Sequence, residues 1–563
     1  MDPQTKSKRP FRFGSTGARL GIGALVAVIG YLVVAPMVNL QAKAFSDGAE
    51  GYREAFSIRG IGGIILNTIG LAVGSVVIAL VFGTLLAWAA SRLPRRLRFL
   101  KIFPILPLIL PSVAAVVGWA LLASPRPGYL NAALRQLPFW SNTTEGPFNV
   151  YSIEWIVLIT GISLSAFVYV FVTSGLQNIG GELQEAARVS GSGPLKVFFT
   201  VTLPLLRPSL IYAAGVVLLL GLGQFTAPLL LGGTGGVKVL TTQMYMQVSQ
   251  TPVDYSAAAA LGSPLLIAGM IVVITQKRLL GGGSRYVTHT GKSFRTEGES
   301  SGFAVAVIVV YAAISSVLPI CALTFVALSP YWTGKISFDR LSFDNFSALL
   351  ARPEATSAIV NSVAYSLTAV AITLPLGFVT ACVLVRGQRY RILRVVLDFL
   401  VSMPLGIPAV IFGAGFLITY TSPPLVLYGT PWVMILAYVT LMIPFATRMQ
   451  LSTLLALGTS YIEAARVSGA GLIRTYATVV LPLMRSSLSG SAALLFVLLT
   501  HEFTASLLVR SPTTRVMGTL LFDYWNNGSY PMVAAVALVM TAVTAVGVSV
   551  AVLLGGSETL NKM

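Results

Sequence analysis

Few residues in this sequence could do chemistry, and those few are poorly spaced for it. Gly291-Lys292-Ser293 ends like a phosphate-binding loop, whose backbone N–H groups cradle phosphates while the lysine neutralises them. Such a loop needs a glycine five residues before Gly291, and position 286 is Tyr. No strand pattern precedes it, so no nucleotide site is expected in this chain. Cys321 and Cys382 lie far apart in separate apolar blocks and form neither a disulfide framework nor a metal motif. Glu502, within the apolar stretch 489–509 and beside His501, is the clearest buried acid. A charge at the membrane centre costs about 2.5–3.5 kcal/mol on insertion scales, so Glu502 should face a cavity or a partner. Its carboxylate could line a path for a hard cation, or it could be a structural charge, with Arg510 two turns on as a candidate partner. His501 alone reads as a buried, hydrogen-bonded histidine. The equivalent residues of the first half, defined below, are Gly223 and Gln224, so this region is asymmetric. Gln224, Thr226, His501, Glu502 and Thr504 are the candidate path residues. No nucleophile, acid–base or metal-ligand constellation stands in the apolar blocks, which argues against an enzyme.

The blocks themselves explain the scarcity. The chain has 563 residues, 55% hydrophobic and 10% charged, too little polar surface to cover a water-soluble domain. Apolar stretches near 19–40, 64–90, 99–123, 153–177, 208–232, 256–276, 303–328, 357–385, 395–420, 431–455, 487–509 and 532–554 are each long enough to cross a hydrocarbon core of roughly 30 Å. In lipid every backbone polar group needs an internal partner, so these twelve spans should be helices. The expected fold class is an all-α polytopic membrane protein. Pro104, Pro107, Pro111, Pro404 and Pro408 should kink spans three and nine.

A formal net charge of +19 could suggest nucleic acid, but the basic residues sit in short segments between spans. Lys6, Lys8, Arg9, Arg12 and Arg19 precede span one, and Arg92, Arg95, Arg96, Arg98 and Lys101 separate spans two and three. By the positive-inside rule both segments are cytoplasmic, and alternation from there leaves only 11 of the 38 Lys and Arg outside. Both termini are then cytoplasmic. Span one lacks a small-residue cleavage site and is expected to be retained.

A repeat divides the chain. The segment 185-EAARVSGSGPLKVFFTVTLPLLRPSL-210 recurs as 463-EAARVSGAGLIRTYATVVLPLMRSSL-488, and 225-FTAPLLLGG-233 as 503-FTASLLVRS-511. Upstream, the matched prolines are offset by about twenty residues more, which places an insertion in the loop 124–152, expected on the outer side. Residues 1–280 and 303–563 form two halves of six spans each, joined by a Gly- and Ser-rich cytoplasmic linker, 281–302. Six spans separate the two EAARVSG copies, so both emerge on one side. That is the signature of a parallel repeat about an axis along the membrane normal.

Within each copy Glu, Ala, Ala and Arg favour a helix, and a Ser-Gly pair then breaks it. A passive connector would have no reason to keep these letters while the spans diverged. The pattern Glu185-Ala186-Ala187, Gly191, Val201, Leu203-Pro204, repeated as Glu463-Ala464-Ala465, Gly469, Val479, Leu481-Pro482, resembles the EAA loop of binding-protein-dependent ABC importer permeases. Isoleucine is frequent in that family where this chain has Val201 and Val479. The two-half arrangement and 498-LLTHEFTASLLVRSPTTRVMGTLLFDY-524 most resemble the fused permeases of the ferric-iron importer group, whose relatives carry thiamine, phosphonates, phosphosugars or polyamines.

The resemblance implies the type I ABC importer permease fold, with EAA loops at 182–206 and 460–484 coupling to a homodimeric ABC ATPase at the cytoplasmic face. ATP and Mg would be bound by that partner, with no cofactor in this chain. It further implies a periplasmic or lipid-anchored substrate-binding protein outside, residence in the bacterial inner membrane among its lipids, no nucleic-acid partner, and ferric iron as cargo, with one of the organic solutes as the alternative. An ion-coupled secondary transporter would need coupling carboxylates in the membrane and no docking loops.

Overall fold

The computed structural model describes residues 17–177, 182–280, 301–335, 337–386, 390–458 and 460–555. The first basic stretch apart from Arg19, nearly all of the linker with its Gly291-Lys292-Ser293, and the last eight residues lie outside the described residues. Among the described residues all regular structure is helical. Eight unbroken helices, from Arg19–Ala44 to Tyr530–Val550, and four bent helix pairs are long and apolar enough to span. Together they make the twelve spans expected, in the expected order, because long apolar runs in lipid have no other way to satisfy their backbones.

The bends are sharper than a proline kink. Span three turns by 92° between Arg95–Ile109 and Ser112–Ala123, and span nine by 110° between Arg391–Gly406 and Ala409–Tyr420. Leu110 and Pro111, like Ile407 and Pro408, have extended ψ values between 126° and 138°. The ring of a proline pushes the residue before it out of the helical region, so each Pro-bearing pair becomes a corner. Spans five and eleven also bend, by 65° and 71°, just beyond Leu203-Pro204 and Leu481-Pro482.

Twofold repetition extends beyond recognisable sequence. Thr68 Oγ1 accepts the Leu240 N–H at 2.9 Å, and Ser362 Oγ accepts the Met517 N–H at 2.8 Å. Asn67 donates to the Lys238 carbonyl as Asn361 does to that of Arg515. The insertion of the first half folds around Asn131, whose buried amide donates to the carbonyls of Ala123, Ser124 and Phe148.

The halves also exchange their first helices. Span one packs on the entering segment of span nine, where Gly415 faces the Pro36 backbone; span seven packs on that of span three, where Gly118 faces Pro319. A Cβ on Gly118 would stand 2.7 Å from the Pro319 carbonyl oxygen, and one on Gly415 2.7 Å from that of Pro36. Small residues permit such backbone approach. Gly118→Leu is therefore expected to destabilise the bundle by about 1–3 kcal/mol, read as a lower unfolding temperature of purified protein. Gly62→Ala, with nothing within 4 Å of the added carbon, should cause no loss.

Candidate functional site

The duplicated segments share one geometry. Helix Glu182–Val189 ends at Gly191, and helix Ser460–Val467 at Gly469, both glycines at φ +83°. In this left-handed region a Cβ is penalised, which is why glycine closes such helices. The motif alanines accept the closing bonds: Ala186 from Ser190 and Ala187 from Ser192, then Ala464 from Ser468 and Ala465 from Ala470, all at 3.0–3.1 Å. A short helix, a π-helical turn (Phe198–Thr202 or Tyr476–Val480) and the Leu-Pro pair follow.

Glu185, Ala186, Glu463 and Ala464 are exposed, Ala187 and Ala465 half-buried. Leu203 and Pro204 are half-buried, whereas Leu481 and Pro482 are exposed. Around them apolar side chains stand in the open: Val189 and Val467 are each 89% exposed, Ile473 88%, and Leu183 and Tyr461 are exposed too. Isolated exposed apolar residues are ordinary, but a cluster of them repeated on two equivalent surfaces marks a face that a partner covers. Because the segments follow spans four and ten, they emerge at the same end of the bundle as the basic segment 92–101.

Each segment is also tied into its own half by an aromatic contact that sequence reading did not single out. Phe198 packs edge-on against Trp88 of span two at 6.1 Å between centroids, and its equivalent Tyr476 against Phe378 of span eight at 6.0 Å. A push on either segment therefore reaches a membrane-crossing helix directly. Phe198→Ala with Tyr476→Ala is expected to lower transport severalfold. Unchanged uptake at equal protein level would show that the contact carries no force.

The candidate path residues occupy the breaks after spans five and eleven. Glu502 accepts the Ala505 N–H at Oε1 and the Ser506 N–H at Oε2, each at 2.9 Å, and the Ser506 hydroxyl at 2.8 Å. The Tyr438 hydroxyl lies 2.8 Å from that of Ser506. The carboxylate thus caps the short helix Thr504–Val509, satisfying N–H groups that a helix start leaves open. Arg510, considered above as its partner, instead binds Asp523 at 2.7 Å. Asp523 lines a polar cavity of about 460 Å3 with Glu354, Arg515, Asn526 and Asn527.

Gln224, the equivalent of Glu502, makes a different contact: its Oε1 accepts the N–H of the adjacent Phe225 at 3.1 Å and its backbone carbonyl the Thr241 hydroxyl at 2.7 Å, while Pro228 stands where Ser506 offers its N–H in the second half. His501 meets span twelve, its Nε2 2.8 Å from Thr544 Oγ1. At the matching position Gly223 lets Pro408 of the other half come close, so the asymmetry here is one of packing. Thr226, buried, and Thr504, half-buried, open the two short helices.

Between Gln224 and Thr226, and between Glu502 and Thr504, stand the residues that meet across the halves. Phe225 and Phe503 are 1% and 2% exposed with ring centroids 5.9 Å apart. Tyr245 backs Phe225 at 5.7 Å, Phe522 backs Phe503 at 5.9 Å, and these two lie 6.1 Å from each other. The four rings form one buried cluster of pairwise equivalent residues where the halves meet, and the signal for it was present in the repeated Phe-Thr-Ala.

A family of known proteins matches both halves: the model of binding-protein-dependent transport system inner membrane components covers residues 79–281 and 373–556. The chain is 25% identical over 544 residues to a ferric transport system permease protein of Actinobacillus pleuropneumoniae, covering 94% of this chain and 77% of that protein. It is 25% identical over 509 residues to a putative ferric transport system permease protein of Haemophilus influenzae, covering 87% and 78%. A sulfate transport system permease protein of Synechococcus elongatus matches at 26% over 263 residues, 46% of this chain but 88% of its own length, as a protein the size of one half would. These relatives are transport permeases rather than enzymes. With twelve apolar spans arranged as two copies of one module, and with the family's model matched once in each copy, the chain belongs to the binding-protein-dependent transport system inner membrane components, as a fused two-half ABC permease.

Proposed function

We propose that this chain forms the transmembrane path of an ATP-driven importer of ferric iron and couples it, through residues 182–206 and 460–484, to a separate homodimeric ATPase that binds ATP and Mg. The observation that carries the coupling is the pair of identical glycine-closed turns bearing uncovered apolar side chains at one end of the bundle. In this reading that end is cytoplasmic, as its basic residues favour, and both termini lie on the same side of the bacterial inner membrane. A periplasmic or lipid-anchored binding protein delivers cargo at the opposite end. Closure of the ATPase dimer draws the segments together, Trp88 and Phe378 carry the motion into spans two and eight, and the halves part at Phe225 and Phe503.

Ferric iron is favoured as cargo because two of the relatives matched over most of both chains are named for ferric transport. An organic solute such as a phosphonate, phosphosugar, thiamine or polyamine is the second reading. Growth of a deletion strain with iron as the limiting nutrient, against the same strain limited for each organic solute, separates the two. Rescue by this chain under iron limitation alone supports iron.

Glu502 holds the helix behind Phe503, so its role here is to position that ring. Glu502→Gln keeps one acceptor but sets an amide against an N–H donor, a loss of about 1–2 kcal/mol for a cap of this kind. The expected result is slower cargo uptake with ATPase co-purification unchanged. Loss of co-purification would contradict it.

A further inference from the structure

The basic segments that open spans three and nine do more than obey a charge rule. Segments 95–109 and 391–406 meet the helices that follow them, Ser112–Ala123 and Ala409–Tyr420, at 92° and 110°; those helices pack on spans seven and one, so the segments before them run across the bundle rather than along it. Each has one side packed on the protein: Leu100 and Pro104 in the first elbow, Leu397, Leu400 and Val401 in the second, are buried. Each has another side uncovered, and it is strongly apolar. Phe99 is 58% exposed, Ile102 54%, Ile392 80%, Val395 60% and Phe399 65%.

Cations stand among these side chains. Arg96, Arg98 and Lys101 are exposed on the first elbow and Arg391 on the second. The one acidic side chain on either elbow, Asp398, is already held by Arg448 at 2.8 Å. Both elbows are pinned, the second by that ion pair and the first by the Tyr169 hydroxyl donating to the Lys101 carbonyl at 2.8 Å. A pinned helix lying across the bundle, apolar on its open side and flanked by positive charge, has the make-up of an interfacial helix. Such helices bury their apolar face at the headgroup boundary, and each Lys or Arg near an anionic surface strengthens the attachment.

We propose that these elbows are a binding surface for anionic phospholipid headgroups, with the first, more basic elbow as the stronger site. Phosphate oxygens meet Arg96, Arg98 and Lys101 while Phe99 and Ile102 enter the acyl region. The first elbow also adjoins the coupling machinery: the Arg92 guanidinium sits 4.3 Å from the Trp88 ring, and Trp88 contacts Phe198 of the coupling segment. Headgroup occupancy is thereby placed next to the contact through which the stroke enters span two. Placement of the elbows in the inner leaflet rests on the topology proposed above; the lipid chemistry does not.

The test uses the full chain with its ATPase, purified in mild detergent and titrated with phosphatidylglycerol or phosphatidylcholine, with bound lipid counted by native mass spectrometry. The wild type should retain phosphatidylglycerol in preference to phosphatidylcholine, and lose that preference as salt rises. The triple variant Arg96→Gln, Arg98→Gln, Lys101→Gln should bind phosphatidylglycerol at least about tenfold more weakly, and the variant with Arg96→Lys and Arg98→Lys should keep most of the binding. Equal retention by the wild type and the triple variant would overturn the proposal, as would equal preference for the two lipids. Loss of the ATPase from the triple variant would also overturn it, since the elbow would then face a protein. This readout needs no transport, so failure of the importer reading leaves it standing, and its failure leaves that reading intact.

Discussion

Replacement of both Gly191 and Gly469 by valine is expected to abolish ATP-dependent uptake, a loss of at least about tenfold, while the protein still inserts and its ATPase still hydrolyses ATP. Both glycines sit at φ +83° with nothing within 4 Å of where a Cβ would stand, so the substitution acts on the backbone and not through a clash. A residue with a Cβ is penalised by roughly 1–2 kcal/mol in this region, and a β-branched one is worse placed still. That strain is small against the stability of twelve packed spans but large against one exposed turn. The turn should therefore rearrange and carry Val189 or Val467 off the docking face. Asparagine tolerates a positive φ, so Gly191→Asn with Gly469→Asn should retain most of the uptake. Uptake measured in proteoliposomes at equal protein level decides the matter, and a valine double variant that transports like the wild type removes the coupling role.

The second large effect is expected where the halves meet. Phe225→Ala together with Phe503→Ala removes both rings that meet across the halves, leaving Tyr245 and Phe522 without the faces they back. Aromatic pairs of this kind contribute about 0.5–1.5 kcal/mol beyond their buried area, and truncation of each buried ring costs roughly 3–5 kcal/mol where the site cannot collapse. A seal built between two halves has little behind it to collapse inward. The double variant should leak: release of a trapped small dye or ion from proteoliposomes without nucleotide should rise about tenfold or more over wild type. Each single variant should leak less than half as much, since one ring still stands between the halves. A tight double variant would mean that the path is closed elsewhere.

Much of this was legible in the sequence because it rests on local chemistry. The twelve spans follow from apolar length alone, and the two halves from letters repeated in register. The turn at Gly191 and Gly469 follows from the Ser-Gly break that ends each Glu-Ala-Ala helix. The prolines of spans three and nine announced a disturbance, but a kink was expected where the chain turns a corner. The sharper angle comes from two consecutive extended residues, Leu110-Pro111 and Ile407-Pro408, and not from the proline ring by itself.

What was hidden depends on how elements meet. Glu502 looked like a charge in search of a partner, and Arg510 was near enough in sequence to be considered. The partner is instead the start of the helix that follows it, while Arg510 turns to Asp523 on the next helix. Phe225 and Phe503 were in plain view within the repeat, yet only the packing of one half against the other brings residues so far apart in sequence ring to ring. The bends of spans five and eleven lie just beyond the Leu-Pro pairs, where the duplicated segments join the bundle, and no periodicity marks them.

The most direct test of the central claim is cargo accumulation in proteoliposomes that hold this chain, its ATPase and its binding protein, with ATP on the side of the coupling segments. Ferric iron should accumulate against its gradient only when ATP and all three proteins are present, and should cease when the ATPase is left out. Accumulation by this chain without an ATPase, or with ATP supplied only to the opposite side, would contradict the account.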